Sequence, residues 1–423
     1  MVSGVLCTGI NAAAMMLAYP IYLHFLGYEQ YGVWLVLATI LSFAQLGNLG
    51  IGQAVMKLVA EEHGRDNVDG IQKYVMTAIS ILLVSGSIGL AVILLFKSEI
   101  VGLFKLSDEN ARTALWLLPY IGVLSIYVFV VQALKATLSG LGRMDLANYA
   151  QALGRMIAVS IASLMLYRGY GIESILIGNS ASYIFIHLMS LTCIKRISSL
   201  RFVRTSNICM IYGRKIVAFG SQLFGSSLVS MLLVPFNKLI ISRYIGVASV
   251  PVFEIAFNGS MQIRGLIEAG LRATMPEISR LSTDITINGL NRIKTISRKS
   301  IKVILVFGLP IYALIIFTSP WLLELWLGGK NSEAVGVAFR IMLGGTYLSL
   351  IGVPAFYALM GTGRAKHILR GNITQSLSNA TLLIMIIPFV QKISVPIVSF
   401  ACVIGMLTSS IYLLIQQKRA MEE

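Results

Sequence analysis

Six charged side chains of this 423-residue chain lie inside apolar runs: Arg155, Lys238, Glu254, Arg264, Glu268 and Arg340. A charge at mid-bilayer costs on the order of 3 kcal/mol, so such a group faces protein or water. Depth separates the six. At about 1.5 Å per residue, Arg264 sits roughly 12 Å from the inner end of its run, too deep to snorkel out easily. Glu268 and then Arg272 follow at four-residue steps on the same helix face, and Asn258 and Gln262 add polar groups. One reading is that Arg264 and Glu268 neutralise each other and pin two helices. The other is that they line a cavity and help bind an anionic substrate or a proton. Four cations against two carboxylates leave positive charge that pairing alone does not remove, which favours the cavity.

The candidate cavity cations are therefore Arg264, Lys238, Arg340 and Arg155, with Glu254 and Glu268 as coupling or pairing carboxylates. Gln45, Asn258 and Gln262 are the candidate uncharged polar groups. Lys238 and Glu254 lie about 9 Å and 6 Å from the outer ends of adjacent runs and are positioned to pair there. Glu268, between two arginines, is expected to pin helices, which leaves Glu254 as the expected coupling group. Arg155 and Arg340 are one to two turns from a membrane face, where snorkelling accounts for them. His187 reads as a packing residue.

The elements that must hold these groups are transmembrane helices. The chain is 56% hydrophobic and 12% charged, with mean hydropathy +0.80; soluble domains carry roughly 25% charged residues. Apolar runs long enough to cross ~30 Å of hydrocarbon fall at 3–26, 31–56, 74–96, 112–138, 149–167 and 172–194. A second set falls at 216–242, 250–272, 299–319, 334–360, 370–390 and 393–415. The net charge of +16 resides in short connections rather than on one basic face, which excludes nucleic acid as the partner. With both termini cytoplasmic, 23 of the 34 Lys and Arg residues fall on the cytoplasmic side and seven outside. The first cation is Lys57, so the opening run is expected to be a retained span rather than a cleaved signal. Four scattered cysteines, with no C-x-x-C and no histidine cluster, indicate neither a disulfide framework nor a metal site, and no cofactor is expected. No P-loop is present, so energy must come from an ion gradient or from removal of product.

The six-plus-six arrangement is echoed by a repeat. Leu138-Ser139-Gly140-Leu141-Gly142-Arg143 recurs as Leu359-Met360-Gly361-Thr362-Gly363-Arg364, 221 positions later. Phe25-Leu26-Gly27 recurs as Tyr244-Ile245-Gly246 at an offset of 219. Two matches near one offset suggest two similar halves: a six-helix lobe over 1–195, a cytoplasmic linker over 196–215 and a second lobe over 216–423.

The stretch from Tyr19 to Trp34 (YPIYLHFLGYEQYGVW) and Leu46-Gly47-Asn48-Leu49-Gly50-Ile51-Gly52 together resemble the Wzx-type O-antigen and polysaccharide flippases. The turn at 138–143, the run Asn237-Lys238-Leu239-Ile240-Ile241-Ser242 and Pro251-Val252-Phe253-Glu254 look like the same family. These flippases belong to the multidrug/oligosaccharidyl-lipid/polysaccharide exporter superfamily. The resemblance implies an all-α polytopic membrane protein of about 12 transmembrane helices, in two six-helix lobes around a central cavity. It implies a bacterial inner-membrane transporter, not an enzyme, that moves undecaprenyl-pyrophosphate-linked oligosaccharide outward by alternating access. The partners it implies are the lipid-linked substrate, the bilayer and the polysaccharide polymerase machinery. Alternatives are a drug/cation antiporter of the same superfamily, a lipid II flippase, and a membrane glycosyltransferase or polymerase. The excess of intramembrane cations speaks against the antiporter, and the short outward loops against the enzyme.

Overall fold

The computed structural model describes residues 2–44, 50–198, 209–272, 278, 287–328, 332–362, 364–390 and 393–420, and these are helical and connecting segments without strands. Two compact units divide the chain, Met1–Leu228 and Val229–Glu423.

In the first unit, α1 (Val2–Ala44) departs from helical geometry at Gly27, at φ 69° and ψ 178°. The ring of Tyr31 meets those of Tyr19 and Tyr22, with centroids 6.2 and 5.7 Å apart. In a straight helix, residues 12 apart would be separated by about 18 Å. The two arms of α1 therefore double back at Gly27. The remaining helices are α2 (Ile51–His63), α3 (Val68–Leu95), the short α4 (Lys97–Gly102), α5 (Asp108–Gly140), α6 (Met144–Tyr167) and α7 (Glu173–Ile197). Ile51, Val55, Leu82, Phe129 and Leu134 build a core where α2, α3 and α5 meet, capped by Ile194 and Ile216. Close packing of α6 on α7 depends on small residues. A Cβ on Gly178 would lie 2.4 Å from the carbonyl oxygen of Ala158.

Next come α8 (Met210–Tyr244), in which the boundary between the units falls, and α9 (Val250–Arg272). A basic helix α10 (Ile287–Val303) continues through a π-helical turn (Ile304–Gly308) into α11 (Leu309–Leu327). The chain finishes with α12 (Ser332–Leu350), α13 (Val353–Gly361), α14 (Ala365–Ile386) and α15 (Val395–Ala420). Every predicted apolar run thus holds a helix. The fourth run of this half is broken: α12 and α13 are bent by 43°. Pro354 has no N–H to continue the ladder across Ile351 and Gly352, and the chain there tightens into Ile351 N–H to Leu348 and Gly352 N–H to Ser349 turns of 3.3 and 3.1 Å.

Several neighbour pairs recur in both units. The fourth span of each set, α5 or α12, contacts the second (α2 or α9), the third (α3 or α11) and the sixth (α7 or α15). The fifth and sixth spans also pair in both, α6 with α7 and α14 with α15. Seven helices among the described residues are long and apolar enough to cross a membrane, or eight with the bent pair. Two helices outside that count, α9 and α14, carry Glu254, Arg264, Glu268, Asn372 and Gln375. Exposed Val84, Ile88, Trp116, Val123, Phe317 and Trp321 give α3, α5 and α11 apolar outer faces suited to lipid.

Candidate functional site

Both repeated turns have a structural basis. Gly27 and Gly246 (φ 122°, ψ 152°) occupy a backbone region open essentially to glycine alone. At the other repeat, Arg143 N–H donates to Leu138 O at 3.0 Å and Arg364 N–H to Leu359 O at 2.9 Å. Leu141 N–H to Thr137 O and Thr362 N–H to Ala358 O close the same inner ring at 2.9 and 3.0 Å. Each turn is a helix stop whose arginine starts the next helix. Arg143 donates to Asp145 from Nε and Nη2 at 3.0 and 2.9 Å, and this bond raises its pKa above the ordinary arginine value.

The second unit contains a polar cavity of about 140 Å³ at the break between α12 and α13. Arg264 and Glu268 of α9 form one wall, with Ser349, Gly352, Val353 and Phe356 beside them on the broken span. Asn372 and Gln375 of α14 and Met406, Ser409, Ser410 and Leu413 of α15 complete it. The break is held by Ser410, whose hydroxyl donates to Ser349 O at 3.1 Å, and by Gly352, where any Cβ would strike Ser410 at 2.7 Å. Arg264 donates from Nη1 to Ser349 Oγ at 2.9 Å. Its Nε stands 3.6 Å from Glu268 Oε2, and the two side chains are 22% and 26% exposed. Tyr357 Oη donates to Glu268 Oε1 at 3.2 Å. Arg264 and Glu268 are thus loosely paired and open to the cavity.

Lys238 and Glu254 are differently placed. Their Nζ and Oε2 are 2.7 Å apart, with the side chains only 8% and 14% exposed, and Asn258 Nδ2 donates to Glu254 Oε1 at 3.0 Å. Beside them Asn379 donates to Asn237 at 3.3 Å, tying α14 to α8. Glu254 is thus the more closely held carboxylate and Glu268 the more accessible one, because Asn258 and Lys238 enclose Glu254 while the helix break opens space beside Glu268. Lys238 and Arg340 do not line the cavity. Arg340 is exposed and donates from Nε to Gly336 O at 3.2 Å, one turn back along its own helix. Arg155, in the first unit, is half-buried within electrostatic reach of Tyr22 and Tyr183. Gln262 is half-buried on α9, and Gln45 lies outside the described residues. His187 stacks on Tyr127 with ring centroids 5.4 Å apart.

Sequence reasoning missed Ser349, Asn372, Gln375, Ser409 and Ser410. A signal was present: in Gly371–Asn379 (GNITQSLSN) six of nine residues are polar. A search for charge alone passes over it.

A family model described as "Polysaccharide biosynthesis protein" matches residues 2–282. A Shigella flexneri protein named "Putative O-antigen transporter" is 21% identical over 349 residues, which is 81% of this chain and 79% of that protein. Among solved structures, a MATE family transporter of the MOP superfamily in an inward-facing conformation superposes with a TM-score of 0.81. It is 16% identical, over 99% of this chain and 94% of that one. The lipid II flippase MurJ superposes at 0.78 with 18% identity, over 99% and 88%. The chain belongs to the polysaccharide biosynthesis protein family and is a multi-pass membrane protein with the fold of the MOP superfamily.

Proposed function

We propose that this protein is a flippase that carries a lipid-linked oligosaccharide, an undecaprenyl-pyrophosphate-bound O-antigen or related repeat unit, across the bacterial cytoplasmic membrane. The observation that carries the reading is Arg264, a partly buried guanidinium on the wall of a polar cavity set among apolar helices. A diphosphate crossing ~30 Å of hydrocarbon must exchange water for fixed donors. A guanidinium suits it, since its planar fork binds phosphate through two parallel hydrogen bonds. The names of the relatives, an O-antigen transporter and a lipid II flippase, support the same substrate class. Glu268 balances Arg264 and leaves no net negative charge to draw a cationic drug, which weighs against the antiporter alternative.

In this reading both termini are cytoplasmic, in keeping with 23 cations on that side against seven outside. The site faces each side in turn, an ion gradient or removal of product supplies the energy, and the polymerase machinery receives the repeat unit outside. Deleting the gene is expected to leave the lipid-linked repeat on the inner leaflet, with surface polysaccharide restored by the wild-type chain. Normal delivery of the repeat to the outer leaflet in the deletion strain would sink the proposal.

A further inference from the structure

We propose that the cavity at the α12–α13 break is a subsite for one uncharged sugar ring, the ring joined directly to the lipid diphosphate. This rests on the flippase reading. The first argument is size. A closed cavity of roughly 150 Å³ holds one benzene ring; this space of about 140 Å³ is open to its surroundings, so it seats part of one hexose ring and does not enclose a disaccharide.

The second argument is charge. Arg264 and Glu268 face the space together, so it is neutral as a whole, and the carboxylate repels a dianion seated deep inside while accepting bonds from hydroxyls. A diphosphate is therefore drawn to Arg264, and the hydroxyls of the sugar to Glu268 and the uncharged polar groups.

The third is hydrogen bonding. Asn372, Gln375 and Ser409 line the space, and their side chains have no hydrogen-bond partner among the described residues. Asn372 and Gln375 are three residues apart on one face of α14. Each amide offers donors and an acceptor together, which matches adjacent hydroxyls that both donate and accept. Phe356 adds an aromatic surface for the C–H face of the ring.

The wall is also fixed before any ligand arrives. A Cβ on Gly405 would lie 2.6 Å from the carbonyl oxygen of Gln375, so α14 and α15 are in direct backbone contact there.

The test uses the full chain in lipid nanodiscs and two probes, undecaprenyl diphosphate and the same lipid carrying one hexose. Wild type is expected to bind the hexose lipid about tenfold more tightly than the bare lipid. Asn372→Leu and Gln375→Met should each bring that ratio towards one while the affinity for the bare lipid holds. Thermal unfolding checks that both variants are folded. If Asn372→Leu is not, Gln375→Met, which keeps length and volume, decides alone. A wild-type ratio of one, or a ratio unchanged in a folded variant, overturns the sugar subsite and leaves the flippase reading standing. Equal loss for both lipids overturns it in favour of a diphosphate site. Wild type that binds neither lipid overturns the flippase reading, and the subsite with it.

Discussion

Glu254→Gln is expected to destabilise the second unit by about 3–5 kcal/mol, the cost of stranding one partner of a buried ion pair. The structure supports the upper part of the range for an isolated pair. Lys238 is 8% exposed and its Nζ lies 2.7 Å from Glu254 Oε2. Its neighbour Asn237 is fully buried and already bonded to Leu233 O and Asn379, so that amide is engaged elsewhere. Replacing both partners together, Lys238→Met with Glu254→Leu, removes the charges without stranding either and should recover most of the loss. Neutralising the exposed pair Lys57–Glu61, whose side chains are 49% and 45% exposed, should change little. The assay is unfolding of the purified protein in detergent for the two single variants and the double, read as a thermodynamic cycle. Single and double variants of equal stability would refute the argument, because stranded charge would then not be the source of the loss.

Three further outcomes follow from the geometry. Gly27→Ala and Gly246→Ala should each cost roughly 1–3 kcal/mol from backbone strain alone, since nothing lies within 4 Å of the added methyl; Gly9→Ala, equally uncrowded but without positive φ, is the control, and equal unfolding midpoints for all three would contradict this. Gly178→Ala should destabilise the first unit by about 1–3 kcal/mol because its Cβ would meet the Ala158 carbonyl oxygen at 2.4 Å, and an unfolding midpoint equal to wild type would argue against close packing of α6 on α7. A cysteine at Ser107 should react with a membrane-impermeant thiol reagent added to intact cells while one at Thr362 does not, and the reverse pattern would invert the orientation drawn from the cation count.

The fold was readable because a bilayer imposes one length on every crossing helix, and because the two halves place glycine where only glycine fits. Gly27 and Gly246 share an offset and a conformation, and the turns ending at Arg143 and Arg364 share a hydrogen-bond ring. Depth along a helix also translates directly, at about 1.5 Å per residue, and it brought out Arg264. What depth does not give is the direction in which a side chain points once its neighbours are in place. Lys238 and Arg264 are both inside the membrane, yet one is enclosed with Glu254 and the other opens on a cavity. The cavity itself depends on a helix break at Gly352 and on uncharged groups from α14 and α15. Asn372, Gln375 and Ser409 cost far less than a charge in an apolar run, so they stand out only when the helices are assembled.

The most direct test of the central claim is transbilayer movement of the lipid-linked oligosaccharide in proteoliposomes containing wild type, Arg264→Ala or Arg264→Lys at equal amounts of folded protein. The account predicts rapid movement with wild type, none above protein-free vesicles with Arg264→Ala, and partial movement with Arg264→Lys, which keeps the charge but loses the fork. Wild-type movement by Arg264→Ala would contradict it and return Arg264 to the role of pinning helices.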